Sequence, residues 1–354
     1  MNRQRQRHSE RPKVSILVPN LNNRRFLAQR MRTILDQTLS DWELIIVDSY
    51  SDDGVWELFQ EFAAHDARIQ ISQAPRDGIY PNLNRCIAQA RGEYVYIATS
   101  DDTMSPDCLE TMATAMDRHP ECGMCHTCLK VIDEQGQDIS NFWEDLPVGR
   151  FYGDLMTKQH IRFAPYDGIL HCALYTVYTS LTQLLIRRSV FETVGLFPTR
   201  WGSEGDFEWG MRVGLVCNIL HLPETLATWR IHVKQASRQY NPDASARKAR
   251  FCQMIQAAIA VLKKSPSPST LKINVNRLTF LYRQEQFLSG IWECPTKRQR
   301  YGFFLKFFFI RPDIIAHFLL RRLQRKPYIA EERFSYLHQE LERLGLTNLV
   351  KIAS

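Results

Sequence analysis

Asp101 and Asp102 stand together at the end of an apolar run, Tyr94 to Ala98, and a third acid, Asp48, closes the run Leu44 to Val47. Adjacent carboxylates repel, and neither enters a core without a partner. Hard divalent cations such as Mg²⁺ or Mn²⁺ bind carboxylate oxygens and complete their shell with water and phosphate. The pair therefore reads as a metal site for a phosphate-bearing ligand, although a strand-end Asp also caps helices, and Asp102 is near enough to Pro106 to do so. Further on, "WGSEGDFEWGMRVGL" (Trp201–Leu215) gathers Glu204, Asp206 and Glu208 at the start of a helical pattern. Glu204 or Asp206 could take a proton from a hydroxyl as a general base, or could simply stabilise the helix N-terminus. In "TWRIHVKQAS", Arg230, His232 and Lys234 alternate, which places all three on one side of a strand. Cations around a histidine suit a diphosphate and its metal, whereas a lone histidine is more often structural.

Elements must carry these groups to one place. "VSILV" ends at Pro19, "ELIIVD" at Asp48, "RIQIS" at Ser72 and "YVYIA" before Thr99, and each is followed by a helical pattern. Phe26, Leu27, Met31, Ile34 and Leu35 mark the first helix, and Val55, Leu58, Phe59 and Phe62 the second. Pro81 opens the third with Leu83 and Ile87 on one face, and Ser105-Pro106 is a good start for the fourth. Apolar strands alternating with helices imply a mostly parallel, Rossmann-like sheet covered on both faces. Ligands of such sheets bind beyond the carboxyl ends of the strands. Three strands deliver polar groups there: Pro19-Asn20-Leu21-Asn22, Asp48-Ser49-Tyr50-Ser51, and Thr99-Ser100-Asp101-Asp102. After Cys122 the pattern becomes mixed, with a strand and turn, aromatic-rich loops, a strand over Thr182–Ile186 and a short helix that stops at Gly195. Beyond Tyr240 it is helical and basic. The expected organisation is a basic tail over 1–12, an α/β domain over 13–240 and a helical region over 241–354.

Composition narrows the class. The 354 residues are 44% hydrophobic and 23% charged, as in a globular protein. A net charge of +7 favours anionic partners without indicating nucleic acid. The basic start lacks an apolar h-region, and nine cysteines suggest free thiols in a reducing cytoplasm. Cys122, Cys125 and Cys128, with His119 and His126, superficially suggest zinc, but Cys125 and Cys128 fall on opposite faces of a strand and no second CxxC pair follows. The stretch Phe303–Arg325 mixes aromatic and basic clusters. It suits either an anionic bilayer surface or a subdomain with a solvated basic face. No G-x-G-x-x-G follows the first strand, and neither a P-loop nor a G-x-S-x-G elbow is present.

Five pieces in order, "VSILVPNLNN", "LIIVDSYSDDG", "DGIYPNLNRCIAQARGEYVYIATSDD", "GDFEWGMRVG" and "WRIHVKQAS", resemble the family 2 glycosyltransferases of GT-A fold over most of Val14–Ser237. The resemblance implies a nucleotide-diphosphate sugar donor, a Mg²⁺ or Mn²⁺ ion, inversion at the anomeric carbon, and a glycan or lipid-linked acceptor in bacterial surface-polysaccharide or glycolipid assembly. It places the chain in the cytoplasm or peripherally on the inner face of the membrane. By residue, it implies Asp206 as catalytic base and Asp101, Asp102 and His232 on the metal. Pro19, Asn22, Asp48, Asn84, Arg85, Ser100, Asp101 and Arg230 would surround the donor. The sequence departs from the family pattern at Thr99, where the first acid of acid-x-acid-acid is expected. It departs again at Gly205, where a Glu often precedes the base, and at Pro81, which replaces an acid. Two rivals remain: a non-catalytic nucleotide-sugar-binding scaffold, which Asp206 argues against, and a nucleotidyltransferase, whose Gly-rich loop "PNLNNRRF" lacks.

Overall fold

The computed structural model describes residues 11–139, 145–233, 235, 243–262, 273–324 and 332–353. Four strands, β1 (Val14–Asn20), β2 (Trp42–Asp48), β3 (Ile69–Gln73) and β4 (Tyr94–Ile97), pair in parallel in the order β4-β1-β2-β3. Helices α1 (Arg24–Leu35), α2 (Val55–His65) and α3 (Ile79–Gln89) connect them. Because successive strand side chains alternate faces, Val14, Ile16 and Val18 enter one apolar cluster with α1, α2 and the next helix, α4 (Cys108–Arg118). Leu17, Ile45 and Val47 enter a second cluster with α3. The helices thus cover both faces of a mixed, mostly parallel sheet, as the alternation of patterns predicts.

Beyond β4 the sheet turns mixed. Strands β5 (Thr103–Met104), β6 (Cys122–Ile132), β7 (His160–Arg162), β8 (Leu184–Arg187), β9 (Asn218–Arg230) and β10 (Val350–Ile352) complete ten. β8 lies antiparallel between β4 and β6, and β9 runs parallel to β6. The strand expected from Thr182 begins only at Leu184, since Leu181–Gln183 form a 3-10 turn closed by a reciprocal Ser180–Gln183 capping box. Cys125 and Cys128 enter opposite clusters, and none of the nine cysteines is in a disulfide.

Short helices α5 (Pro147–Tyr152), α6 (Tyr166–Leu174) and α7 (Val190–Val194) precede α8 (Gly205–Val216), the helix that bears the acids. A Cβ built on Gly168 would lie 2.5 Å from the Leu215 nitrogen, and one on Gly214 would lie 2.5 Å from the Gly168 nitrogen. α6 and α8 therefore meet backbone to backbone.

The C-terminal helices are α9 (Ala244–Leu262), α10 (Val275–Leu278), α11 (Phe280–Glu293), α12 (Lys297–Ile310), α13 (Pro312–Leu323) and α14 (Glu332–Arg343). Phe251, Met254, Ile255 and Ala258 of α9 are fully buried in the same cluster as Leu17 and Trp209. The helical region thus shares the main core, and it ends in β10, which pairs with β7 at the sheet edge. No described helix is long and apolar enough to cross a membrane.

Candidate active site

The parallel strands end in register. Asn20, Asp48 and Gln73 are direct partners across β1, β2 and β3, so their side chains meet at the carboxyl rim. Asp48 is fully buried. Its Oδ1 accepts from the Asn20 amide at 2.8 Å and the Ser51 hydroxyl at 2.6 Å, while Oδ2 accepts from the Ser51 backbone N–H at 2.9 Å. Pairing of β1 with β4 stops at Leu17, two residues before Pro19. The missing proline N–H therefore interrupts no bond on that side, and a gap opens between β1 and β4. Asn22, in the left-handed region at φ 52°, donates its N–H to Ser51 and accepts the Asp52 N–H on its amide oxygen. Tyr50, also left-handed, and Leu21 are exposed on this rim.

The β4–β5 loop carries the paired acids, and the structure gives them opposite surroundings. β5 pairs antiparallel with β9 at Thr103–Thr228, which brings Arg230 and His232 back over the loop. Asp101 Oδ2 lies 2.8 Å from His232 Nε2, and His232 Nδ1 lies 3.1 Å from the Arg25 guanidinium. Phe26 packs against the imidazole at 5.1 Å.

Asp102, expected as a second metal ligand, turns inward and is 2% exposed. Its Oδ1 takes the Arg230 backbone N–H at 2.8 Å, and its Oδ2 takes the Thr99 hydroxyl, with Ser180 Oγ at 3.5 Å. Burial, then the charge on Asp101, raises its carboxyl well above the ordinary range; the Thr99 and Arg230 bonds oppose the rise. Thr99, which stands where the family pattern has an acid, thus holds its neighbour.

Other expected donor contacts move as well. Arg230 is buried, with Nε on the Asp101 carbonyl (3.0 Å), one terminal nitrogen on the Asp133 carbonyl (3.2 Å) and the other on Gln29 Oε1 (2.7 Å). It clamps the loop to α1 and the β6 turn, since all three guanidinium nitrogens are already engaged. Asn84 uses both ends of its amide on the Phe197 backbone, at 2.8 and 3.1 Å. Arg85 forms a two-pronged pair with Asp77 at 2.8 and 2.9 Å. The Ser100 hydroxyl accepts from Asn23 at 2.6 Å. Lys234 lies outside the described residues.

The second acidic group starts α8. Glu204 is buried between Arg247 (2.8 Å) and Arg250 (3.3 Å) of α9. Glu208 is buried against Arg212 (3.0 Å) and raised by burial. Asp206, between them, has no ion pair among the described residues, and its Oδ1 is buried without a hydrogen-bond partner. Burial pushes its carboxyl up to about 6, offset in part by the Tyr80 hydroxyl and the first amides of the helix. Tyr80 belongs to the first turn of α3, just beyond β3, so Asp206 lies on the carboxyl side of the parallel strands. Gly205 is demanded by this packing, because a Cβ there would lie 2.5 Å from the Pro198 carbonyl and 2.7 Å from the Tyr80 ring.

Among the described residues, no three His, Cys, Asp or Glu side chains converge as a preformed cage. The fit to a divalent cation rests on Asp101 and His232, which already approach one another through the atoms that would ligate. A hard cation that keeps waters and substrate phosphates needs few protein donors. Sequence reasoning placed Asn20 and Ser51 at the rim without giving them partners, and it missed Asn23 and Arg25, which no local pattern singles out.

Comparison with known proteins bears on the family and the fold. Residues 15–177 match the model of glycosyl transferase family 2. The chain is 33% identical over 127 residues to the putative glycosyltransferase EpsE of Bacillus subtilis, covering 35% of this chain and 46% of that protein. It is 29% identical over 133 residues to the putative teichuronic acid biosynthesis glycosyltransferase TuaG of the same organism, covering 37% and 52%. The chain therefore spans about half the length of these curated relatives. Residues 1–349 of S. aureus TarS, solved with UDP-GlcNAc, superpose with a TM-score of 0.60 at 13% identity, covering 93% of this chain and 88% of that one. At that identity the likeness concerns the fold, which is GT-A. The likeness to glycosyl transferase family 2 thus runs over residues 15–177, somewhat under half of the chain.

Proposed function

We propose that the chain is an inverting glycosyltransferase that moves a sugar from a nucleotide-diphosphate sugar to an acceptor hydroxyl. The observation that carries the reading is Asp206, a half-buried residue whose Oδ1 is itself buried without a partner, between two acids that arginines neutralise. Such a group can accept a proton at neutral pH from a hydroxyl that attacks the anomeric carbon from the face opposite the leaving group. The donor lies over the β1–β4 gap, its nucleoside beside Asp48, Asn22 and exposed Tyr50. Asp101 and His232 would hold Mg²⁺ or Mn²⁺, which supplies charge neutralisation to the departing diphosphate. Asp102, Thr99 and Arg230 keep the Asp101 loop in place, and Arg25 orients His232. The UDP and UDP-GlcNAc of the TarS structures support a nucleotide-sugar donor. The name of TuaG, a putative teichuronic acid biosynthesis glycosyltransferase, supports a role in bacterial polysaccharide biosynthesis; the proposal adds a glycan or lipid-linked acceptor reached from the cytoplasmic face of the membrane.

A thermal-shift screen of nucleotide sugars with and without Mn²⁺ identifies the donor, and product analysis then tests the reaction. Release of nucleoside diphosphate is expected. Release of pyrophosphate would instead make the chain a nucleotidyltransferase.

A further inference from the structure

The last helices hold a third, smaller apolar cluster outside the main core. Phe287 of α11 is its centre, with Phe307 at 5.3 Å and Phe318 at 5.1 Å between ring centroids. α12 contributes Phe303, Phe304 and Phe307 from its inner face, and α13 contributes Ile314, Ile315 and Phe318. A helix that has buried one such face normally turns polar residues to the other. These two do not. Tyr301, Leu305, Phe308 and Phe309 follow one another at i, i+4, i+7 and i+8 along the outer face of α12, and all four are exposed, Phe309 by 79%. Ala316, Leu319, Leu320 and Leu323 repeat the pattern at i, i+3, i+4 and i+7 on α13, with Leu323 82% exposed. Stripes of this kind mark an interaction surface.

The charge around them selects the partner. Lys297, Arg298, Arg300 and Lys306 lie on α12, and Arg321 and Arg322 on α13. The one acid between 297 and 324, Asp313, is held by Arg311 at 2.7 Å. A second copy of the chain would bring these same cations against each other. A bilayer with anionic headgroups offers the complement: acyl region for the stripes and phosphate for the cations. We propose that the α12–α13 hairpin is a docking surface for an anionic lipid bilayer.

The hairpin connects to the candidate site through two helices. α11 stacks Tyr282 on Phe251 of α9 at 5.7 Å. α9 in turn stacks Phe251 on Phe207 at 5.5 Å and grips Glu204, flanking Asp206 on both sides. A chain seated on lipid by this hairpin would hold its base at a set height above the surface, which suits an acceptor carried by the membrane. The docking itself stands apart from the sugar-transfer reading and is tested without it.

The experiment is co-sedimentation of the full chain with phosphatidylcholine vesicles and with vesicles containing about 30% phosphatidylglycerol, at low salt and at about 0.5 M salt. Binding to the anionic vesicles that weakens at high salt is expected. The double variant Phe309→Ser/Leu323→Ser should lose about tenfold or more of that binding, since two buried side chains are removed. Lys297→Gln/Arg298→Gln should narrow the difference between the two vesicles. All four residues are exposed, so the unfolding midpoint should stay at the wild-type value and exclude misfolding as the cause. Absence of wild-type binding, or equal binding to neutral and anionic vesicles, would overturn the proposal. So would a wild-type dimer in sedimentation velocity that the Phe309→Ser/Leu323→Ser variant converts to a monomer.

Discussion

The two acidic clusters of the site differ in how their charges are matched. At the β4–β5 loop every carboxylate has a partner: Asp101 meets His232, and Asp102 is enclosed by Thr99, Ser180 and the Arg230 N–H. At the start of α8 the outer acids are matched and the middle one is not. Arg247 and Arg250 neutralise Glu204, Arg212 neutralises Glu208, and Asp206 keeps an orphan oxygen. Each cluster mixes buried and half-buried acids and each contains a raised carboxyl, so neither burial nor pKa alone distinguishes a structural acid from a reactive one. The difference lies in which acid has already been given a donor.

The largest expected effect breaks that contrast at its centre. Asp206→Asn should lower turnover by about 10²- to 10⁴-fold, read as nucleoside diphosphate release, while donor binding by calorimetry stays near wild type. Near-normal turnover would place the base on Glu204 or Glu208. Second, Asp101→Asn should weaken Mn²⁺-dependent donor binding by about tenfold or more. Asp102→Asn should instead lower stability by about 1–2 kcal/mol and leave the titration metal-dependent. The reverse pattern would exchange their roles.

A third effect concerns pH. Asp206 acts as base only when ionised, so kcat/KM should rise with pH through about 6. Its folded pKa is raised, so the folded chain holds the proton more tightly than the unfolded one between about 4 and 6. Stability therefore falls as pH rises through that window and stays lower above it. Asp206→Asn should remove this slope and stabilise the chain at pH 7 by about 1–3 kcal/mol, measured by denaturant titration. A variant as pH-sensitive as wild type would mean that another group supplies the limb. The smallest effect tests the matched acids. Arg247 is half exposed, so Arg247→Ala should destabilise by only about 1 kcal/mol, seen as a lower unfolding midpoint. No change would show that Arg250 alone balances Glu204.

The parallel half of the sheet was legible because its strands are apolar throughout and its helices keep a 3.6-residue period. Asp48, Asp101 and Asp206 stood out because each interrupts or follows such a run. The partners of Asp102 and Arg230 were not legible for one reason: they depend on β5 pairing with β9 across more than a hundred residues, and no local pattern reports a pairing two residues long. β10 was missed similarly, and β7 was foreseen only as a short strand somewhere in 141–173, since three-residue strands fall below any periodic signal. The matching of Glu204 by α9 was equally invisible, since its arginines lie some forty residues downstream.

The glycine joint between α6 and α8 has a mechanical consequence. Two helices whose backbones touch at Gly168 and Gly214 have no rotamers between them to absorb sliding. They move as one body or separate altogether. Any closure over a bound donor would then be carried by other segments, and the proposed base, Asp206, would be the stationary point toward which the sugar is brought.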